Sequence, residues 1–182
     1  IIITRFANIY GPGQLNFTAI IPEAIRCCLL NKKFIFRSDG LSIRDFIYID
    51  DITDLYKLLA KNLYINPKKF SGEIFNAGTN IQHQMKDIIE KIFIHGKRKI
   101  ELKSIFRRIK NNKTTGEISS QYMDYDKLNM YFGWNPKRKF INTLPSLFKW
   151  YKRYFKKKAW ILRSYQQELE MLLEEEIGQM ID

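Results

Sequence analysis

The chain has 182 residues, 45% of them hydrophobic and 27% charged, with a formal net charge of +12. That length holds one domain with a real core, or one domain and a tail, and the apolar content excludes a disordered chain. No apolar run approaches the roughly 20 residues of a membrane helix, and Ile1-Ile2-Ile3-Thr4-Arg5-Phe6 lacks the basic region and long apolar stretch of a signal peptide.

The charge is unevenly placed. Pro136 to Arg163 carries ten Lys or Arg and no acid, whereas Glu168 to Asp182 carries six acids and no base. A basic stretch is either a solvated helix face or a patch for nucleic acid or an acidic membrane surface. The interleaved Tyr151, Tyr154, Phe155 and Trp160 fit stacking on bases or packing of a helix face equally well.

Ile1 to Phe6, short, apolar and β-branched, reads as a buried parallel strand that starts as if inside a longer sheet. Asn8 to Gly13 follows as a loop with two glycines and a proline. Ile20 to Leu30 reads as a helix, with Pro22 in its first turn. Cys27 and Cys28 are neighbours on it, about 100° apart around the axis, which suits neither a metal site nor a disulfide. Two reduced thiols imply a cytoplasmic protein.

Asp39-Gly40 between Phe34–Ser38 and Leu41–Asp45 predicts a hairpin. Phe46 to Ile49 is a strand, and Asp50 or Asp51 caps a helix from Ile52 to Asn62. Glu73 to Ala77 is a strand ending at the Gly78 turn, and Met85 to Ile94 is a helix that Gly96 ends. Lys99 to Lys103 is a short strand and Arg107 to Ser120 a polar loop. Asp124 caps a short helix through Tyr131, Gly133-Trp134-Asn135-Pro136 stops it, and Thr143 to Tyr154 is a further helix. The tail from Trp160 to Ile181 is amphipathic in places, with Leu162, Leu169, Leu173 and Ile177 on one side. Alternation of strands and helices makes this an α/β chain.

Six segments carry a family pattern in order. Arg5-Phe6-Ala7-Asn8-Ile9-Tyr10-Gly11-Pro12 matches R-x-x-N-x-Y-G-P, and Asn16 to Pro22 matches a substrate loop running into its helix. Gly40 to Asp51 matches G-x-x-x-R-D-[YFW]-x-[YH]-V-x-D, with Ile49 in place of the valine. Phe75-Asn76-Ala77-Gly78 matches F-N-x-G, residues 116–136 match a closing E-I … K … G-W-x-P stretch, and Trp150-Tyr151 matches a terminal W-Y helix. Over residues 1–155 the chain resembles the extended short-chain dehydrogenases/reductases, the NAD-dependent epimerase/dehydratase family. Leu15-Asn16-Phe17 and Arg37-Ser38-Asp39-Gly40 look most like the CDP-glucose 4,6-dehydratases of that family.

The resemblance implies the C-terminal portion of a Rossmann-type enzyme: the last parallel strands plus the small α/β substrate domain over residues 1–155, followed by a helical tail over 156–182. It implies a nucleotide-sugar ligand, NAD, and either a separate Rossmann half or a second copy as partner. Nucleic acid and membrane are the lesser expectations. Arg44 resembles the arginine that grips the pyrophosphate, a task suited to a planar, two-pronged guanidinium. Its competing role is a surface arginine paired with Asp45. Asn8, offering donor and acceptor at a strand mouth, falls where relatives touch sugar or phosphate, or else serves only its own turn. Asn16, Ile20 and Ile21 fall at the nucleotide, Phe34 and Phe36 flank the base, and Phe6 and Ala7 lie at the nicotinamide end of NAD.

No residue is expected to be catalytic or to bind a metal. Relatives need a glycine-rich pyrophosphate turn and a Tyr-x-x-x-Lys pair, and none of the chain's nine glycines forms G-x-x-G-x-x-G or G-x-G-x-x-G. Tyr64–Lys68 is interrupted by Pro67, and Tyr154–Lys158 lies beyond the matched motifs. His83 and His95 read as surface or helix-end residues. A second phosphate-binding arginine, frequent in relatives, has only Lys113 near its place. The expectation is binding without turnover.

Overall fold

In the computed structural model, which describes residues 1–35, 40–98 and 118–181 and side chains as far as Trp160, one short strand explains the layering. All three residues of Phe46–Tyr48 are buried. Side chains alternate across a strand, so Phe46 and Tyr48 enter one apolar cluster and Ile47 enters another. A parallel strand covered on both faces needs such a continuous apolar run.

The chain starts with β1 (Ile3–Phe6) and, after a bend at Ala7, β2 (Asn8–Tyr10). Helix α1 (Ile20–Leu29) precedes β3 (Ile43–Arg44) and β4 (Phe46–Tyr48). Then come α2 (Ile49–Ile65), the single-turn α3 (Pro67–Phe70), β5 (Ile74–Ala77), β6 (His83–Gln84) and α4 (Met85–His95). The remainder is β7 (Ser120–Gln121), α5 (Asp126–Phe132) and α6 (Phe140–Ile181). Strands β1 and β5 pair in parallel, with Ile3 opposite Ile74 and Phe6 opposite Ala77. Strands β2 and β4 are also parallel, Asn8 facing Phe46. Strand β3 lies between antiparallel β6 and parallel β7. The fold is α/β.

Helices α1, α4 and α6 cover one face. In α4 the buried residues Met85, Ile88, Ile89, Ile92 and Phe93 recur at the spacing of a single helical stripe, and Leu144, Leu147, Phe148 and Tyr151 do so in α6. The other face packs Ile52, Leu55 and Leu59 of α2 against Phe75, Leu128 and Trp134. Lys127 of α5 pairs with Glu73 at 2.6 Å and lies 4.9 Å over the Phe75 ring, holding α5 to β5.

Several elements differ from their sequence expectation. Residues 8–10 form a strand because Asn8 N donates to Asp45 O, which draws the chain from β5 to β4 after Ala7. Strand β3 takes β6 and β7 as partners, and Phe34 and Ile35 are not in a strand, so the expected hairpin does not form among the described residues. Helix α2 starts at Ile49 without a side-chain cap, and Asp51 serves a different loop. Helix α6 starts at Phe140 and includes Pro145, where Thr143 Oγ1 returns a bond to Phe140 O at 2.7 Å. It runs unbroken into the tail. The strand expected at 99–103, Lys113 and most of the loop expected at 107–120 lie outside the described residues.

Candidate functional site

Asn8 follows the carboxyl end of β1, where open α/β sheets receive ligands. Its backbone N–H and its side-chain Nδ2 both donate to Asp45 O at 3.0 Å, so the side chain is clamped to β3–β4 and its Oδ1 remains as acceptor. Arg44, half-buried in β3, donates from Nη1 to Ile43 O at 2.8 Å. Ile20 and Ile21 open α1, whose N-cap Ala19 makes no side-chain bond.

These four residues meet. Asn8, Ile20, Ile21 and Arg44 line one cavity of about 230 Å³, together with Tyr10, Gln14, Phe46 and Met85. No acid lines it among the described residues. Arg44 and the uncapped start of α1 put a full and a partial positive charge on its wall. Such a wall suits an anion with an apolar neighbour. Gly11, Gly13 and Gln14 border an adjoining hollow of about 280 Å³.

The other sequence-derived candidates stand elsewhere. Asn16 Oδ1 accepts from Thr18 N at 3.0 Å and Thr18 Oγ1 at 2.6 Å, closing its own turn away from the cavity lining. Phe34 is 5% exposed, edge-on to Phe93 in the core, with no open face for a base. Phe36 lies outside the described residues. Phe6 packs its ring 5.7 Å from Tyr56, and both Phe6 and Ala7 rest against the α2-side core. Tyr64 is 89% exposed at the end of α2, and Tyr154 stacks on Trp150 in α6. His83 lies in β6 between the Phe46 and Phe140 rings, and burial lowers its pKa. His95 ends α4 against Phe148. Among the described residues no three His, Cys, Asp or Glu cluster to hold a metal.

Two buried carboxylates tie backbone segments together, Asp45 beside the cavity and Asp51 ahead of α6. Asp45 is fully buried, and it is not a surface partner for Arg44. It accepts from Thr79 Oγ1, from Thr79 N at 2.8 Å, from Asn80 N at 3.1 Å and from Met123 N at 3.4 Å. Gly78 is required beside it, since a Cβ there would strike Met123 O and the Asp45 carboxylate. Asp51, 2% exposed, accepts from the backbone of Lys137 and Arg138 at 3.1 Å and from Arg138 Nη1 at 2.7 Å.

Residues 1–78 match the model of the NAD dependent epimerase/dehydratase family. Over this stretch the chain is similar to that family. A dTDP-D-glucose 4,6-dehydratase of Dictyostelium discoideum is 36% identical over 92 residues, half of this chain and 20% of that protein. The human dTDP-D-glucose 4,6-dehydratase is 26% identical over 170 residues, covering 85% of this chain and 42% of that protein. The chain thus spans less than half the length of these relatives. A crystal structure of dTDP-glucose 4,6-dehydratase from Bacillus anthracis in complex with NAD superposes with a TM-score of 0.65 at 24% identity, covering 84% of this chain and 44% of that one.

NAD is bound in the crystal structure of that dehydratase. A dinucleotide needs a glycine turn at a helix start, which the sequence lacks, and Phe6 and Ala7 are occupied by packing.

Proposed function

We propose that this chain is the nucleotide-sugar-binding part of a nucleotide-sugar 4,6-dehydratase or epimerase, a ligand-holding wall without turnover of its own. The observation that carries this reading is the shared cavity of Asn8, Ile20, Ile21 and Arg44. Arg44 and the start of α1 hold the diphosphate, and Asn8, its amide fixed by Asp45, offers Oδ1 to a sugar or phosphate donor. Residues 1–155 form the binding part and 156–182 the tail. Hydride chemistry belongs to a Rossmann half in the same chain or in another. The cytosolic setting rests on the two free, buried thiols. Among the described residues no helix is long and apolar enough to cross a membrane.

Calorimetry of the chain with CDP-glucose and with dTDP-glucose tests this reading and assigns the base, since Leu15–Phe17 resembles the CDP enzymes while the named relatives carry dTDP. Arg44→Ala is expected to weaken binding by about 1.5–3 kcal/mol, the value of a charge-assisted bond. Unchanged affinity removes Arg44 from the site, and conversion of either sugar to a 4-keto product by the chain with NAD overturns the non-catalytic reading.

A further inference from the structure

On α6, away from the cavity, a groove of about 630 Å³ is lined by Trp150, Arg153, Tyr154, Lys156, Lys157 and Trp160. Trp150 and Tyr154 stack with centroids 5.5 Å apart and planes 7° apart, and Trp160 is 65% exposed. Three cations and three rings share this lining with no acid among the described residues. Like charges three and four residues apart on a helix repel, so this face gains from an anionic complement.

The chain contains that complement. Glu168 to Asp182 holds six acids and no base. It cannot fold back onto its own groove, because α6 is continuous from Phe140 to Ile181. Lys157 and Glu174 are separated by 17 residues, about 26 Å along the axis. Neutralisation therefore needs a second molecule.

We propose that two copies of the chain pair through α6 in antiparallel fashion, the acidic end of each helix lying along the basic, aromatic groove of the other. Parallel pairing sets Lys156–Lys158 beside itself and Glu174–Glu176 beside itself. Antiparallel pairing about Gln167 brings Lys158 level with Glu176, and Lys156 and Lys157 within one turn of Glu174–Glu176. A twofold arrangement uses the same surface on both copies and closes without further assembly.

Sedimentation of the full chain from ~1 to ~100 µM tests this. The wild type is expected to dimerise, and raising salt from ~0.05 to ~0.5 M is expected to weaken the dimer at least tenfold by screening. Two charge reversals, Lys156→Glu with Lys157→Glu and Lys158→Glu, and Glu174→Lys with Glu175→Lys and Glu176→Lys, are each expected to be monomeric alone. An equimolar mixture is expected to dimerise again, because the reversed charges then match. Circular dichroism shows whether both keep their helix, and deletion of residues 168–182 supplies a second route to the monomer. A wild type monomeric at ~100 µM, a dimer that survives the reversals or the deletion, or a mixture that does not recombine overturns the proposal. So does a monomeric wild type that binds single-stranded DNA in a salt-dependent way, which assigns the groove to nucleic acid.

Discussion

Replacing Asp45 separates its two jobs. Its backbone oxygen holds Asn8, and its carboxylate holds Thr79, Asn80 and Met123. Asp45→Ala leaves three buried or half-buried N–H donors without their acceptor in a site too tight for easy relaxation. An unsatisfied donor costs about 1–3 kcal/mol, and neighbouring losses overlap, so the expected destabilisation is about 3–5 kcal/mol. For a chain of this size that lowers the melting temperature by roughly 6–20 °C. Asp45→Asn should behave differently. Oδ2 serves the three N–H groups, whereas Oδ1 serves only the Thr79 hydroxyl, which can rotate and accept from an amide. An asparagine with its oxygen at the Oδ2 place therefore costs only ~1–2 kcal/mol. Urea unfolding followed by tryptophan fluorescence measures both variants. A loss below ~1 kcal/mol for alanine, or equal losses for the two, refutes the atom-by-atom assignment.

Three further outcomes are expected. Tyr10→Phe removes the bond to Thr143, whose own hydrogen goes to Phe140 O, and should cost about 1 kcal/mol by urea midpoint with the fold unchanged. Gly96→Ala places a Cβ against Cys28 Sγ and 3.1 Å from the Phe148 ring, so α1 must give way at the end of α4, with a loss of about 1–3 kcal/mol in thermal unfolding. Burial, helped by Glu23, pushes the Cys27 thiol from its ordinary value near 9 up to about 11. The folded chain then holds this proton more tightly than the unfolded chain. The associated stability is complete below pH 9 and is lost as pH rises toward about 11. Unfolding at about pH 8 and about pH 10.5 should show a smaller alkaline loss in Cys27→Ala than in the wild type, and equal losses count against the shift.

Much of the fold was legible because its signals are local. Apolar periodicity marked α1 and α4 to within a residue or two, and Gly78 and Gly96 marked the ends of β5 and α4. The failures lie where distant partners decide. Strand β3 pairs with strands 40 and 77 residues further on, partners that no local signal names. Asn8, Ile20, Ile21 and Arg44, each named from its motif, line one cavity in the structure. It also placed Phe34 at the base, where the structure buries it, since an aromatic near a site and an aromatic in a core have the same spelling. Asp45 was considered only as a surface partner for Arg44 and Asp51 only as a helix cap, because their partners are backbone amides, which no sequence letter identifies.

Asp51 also bears on how freely this chain can vary. Its carboxylate takes two consecutive main-chain N–H groups, at positions 137 and 138, and only then the Arg138 guanidinium. A joint made with the main chain is indifferent to the side chains it joins. Almost any residue can enter at 137 or 138 without detaching the start of α6 from the start of α2. Proline is the exception, since it brings no N–H. Pro136 stands one residue short of that boundary, so a drift of that proline by a single position would remove one of the two main-chain bonds that tie the start of α6 to α2.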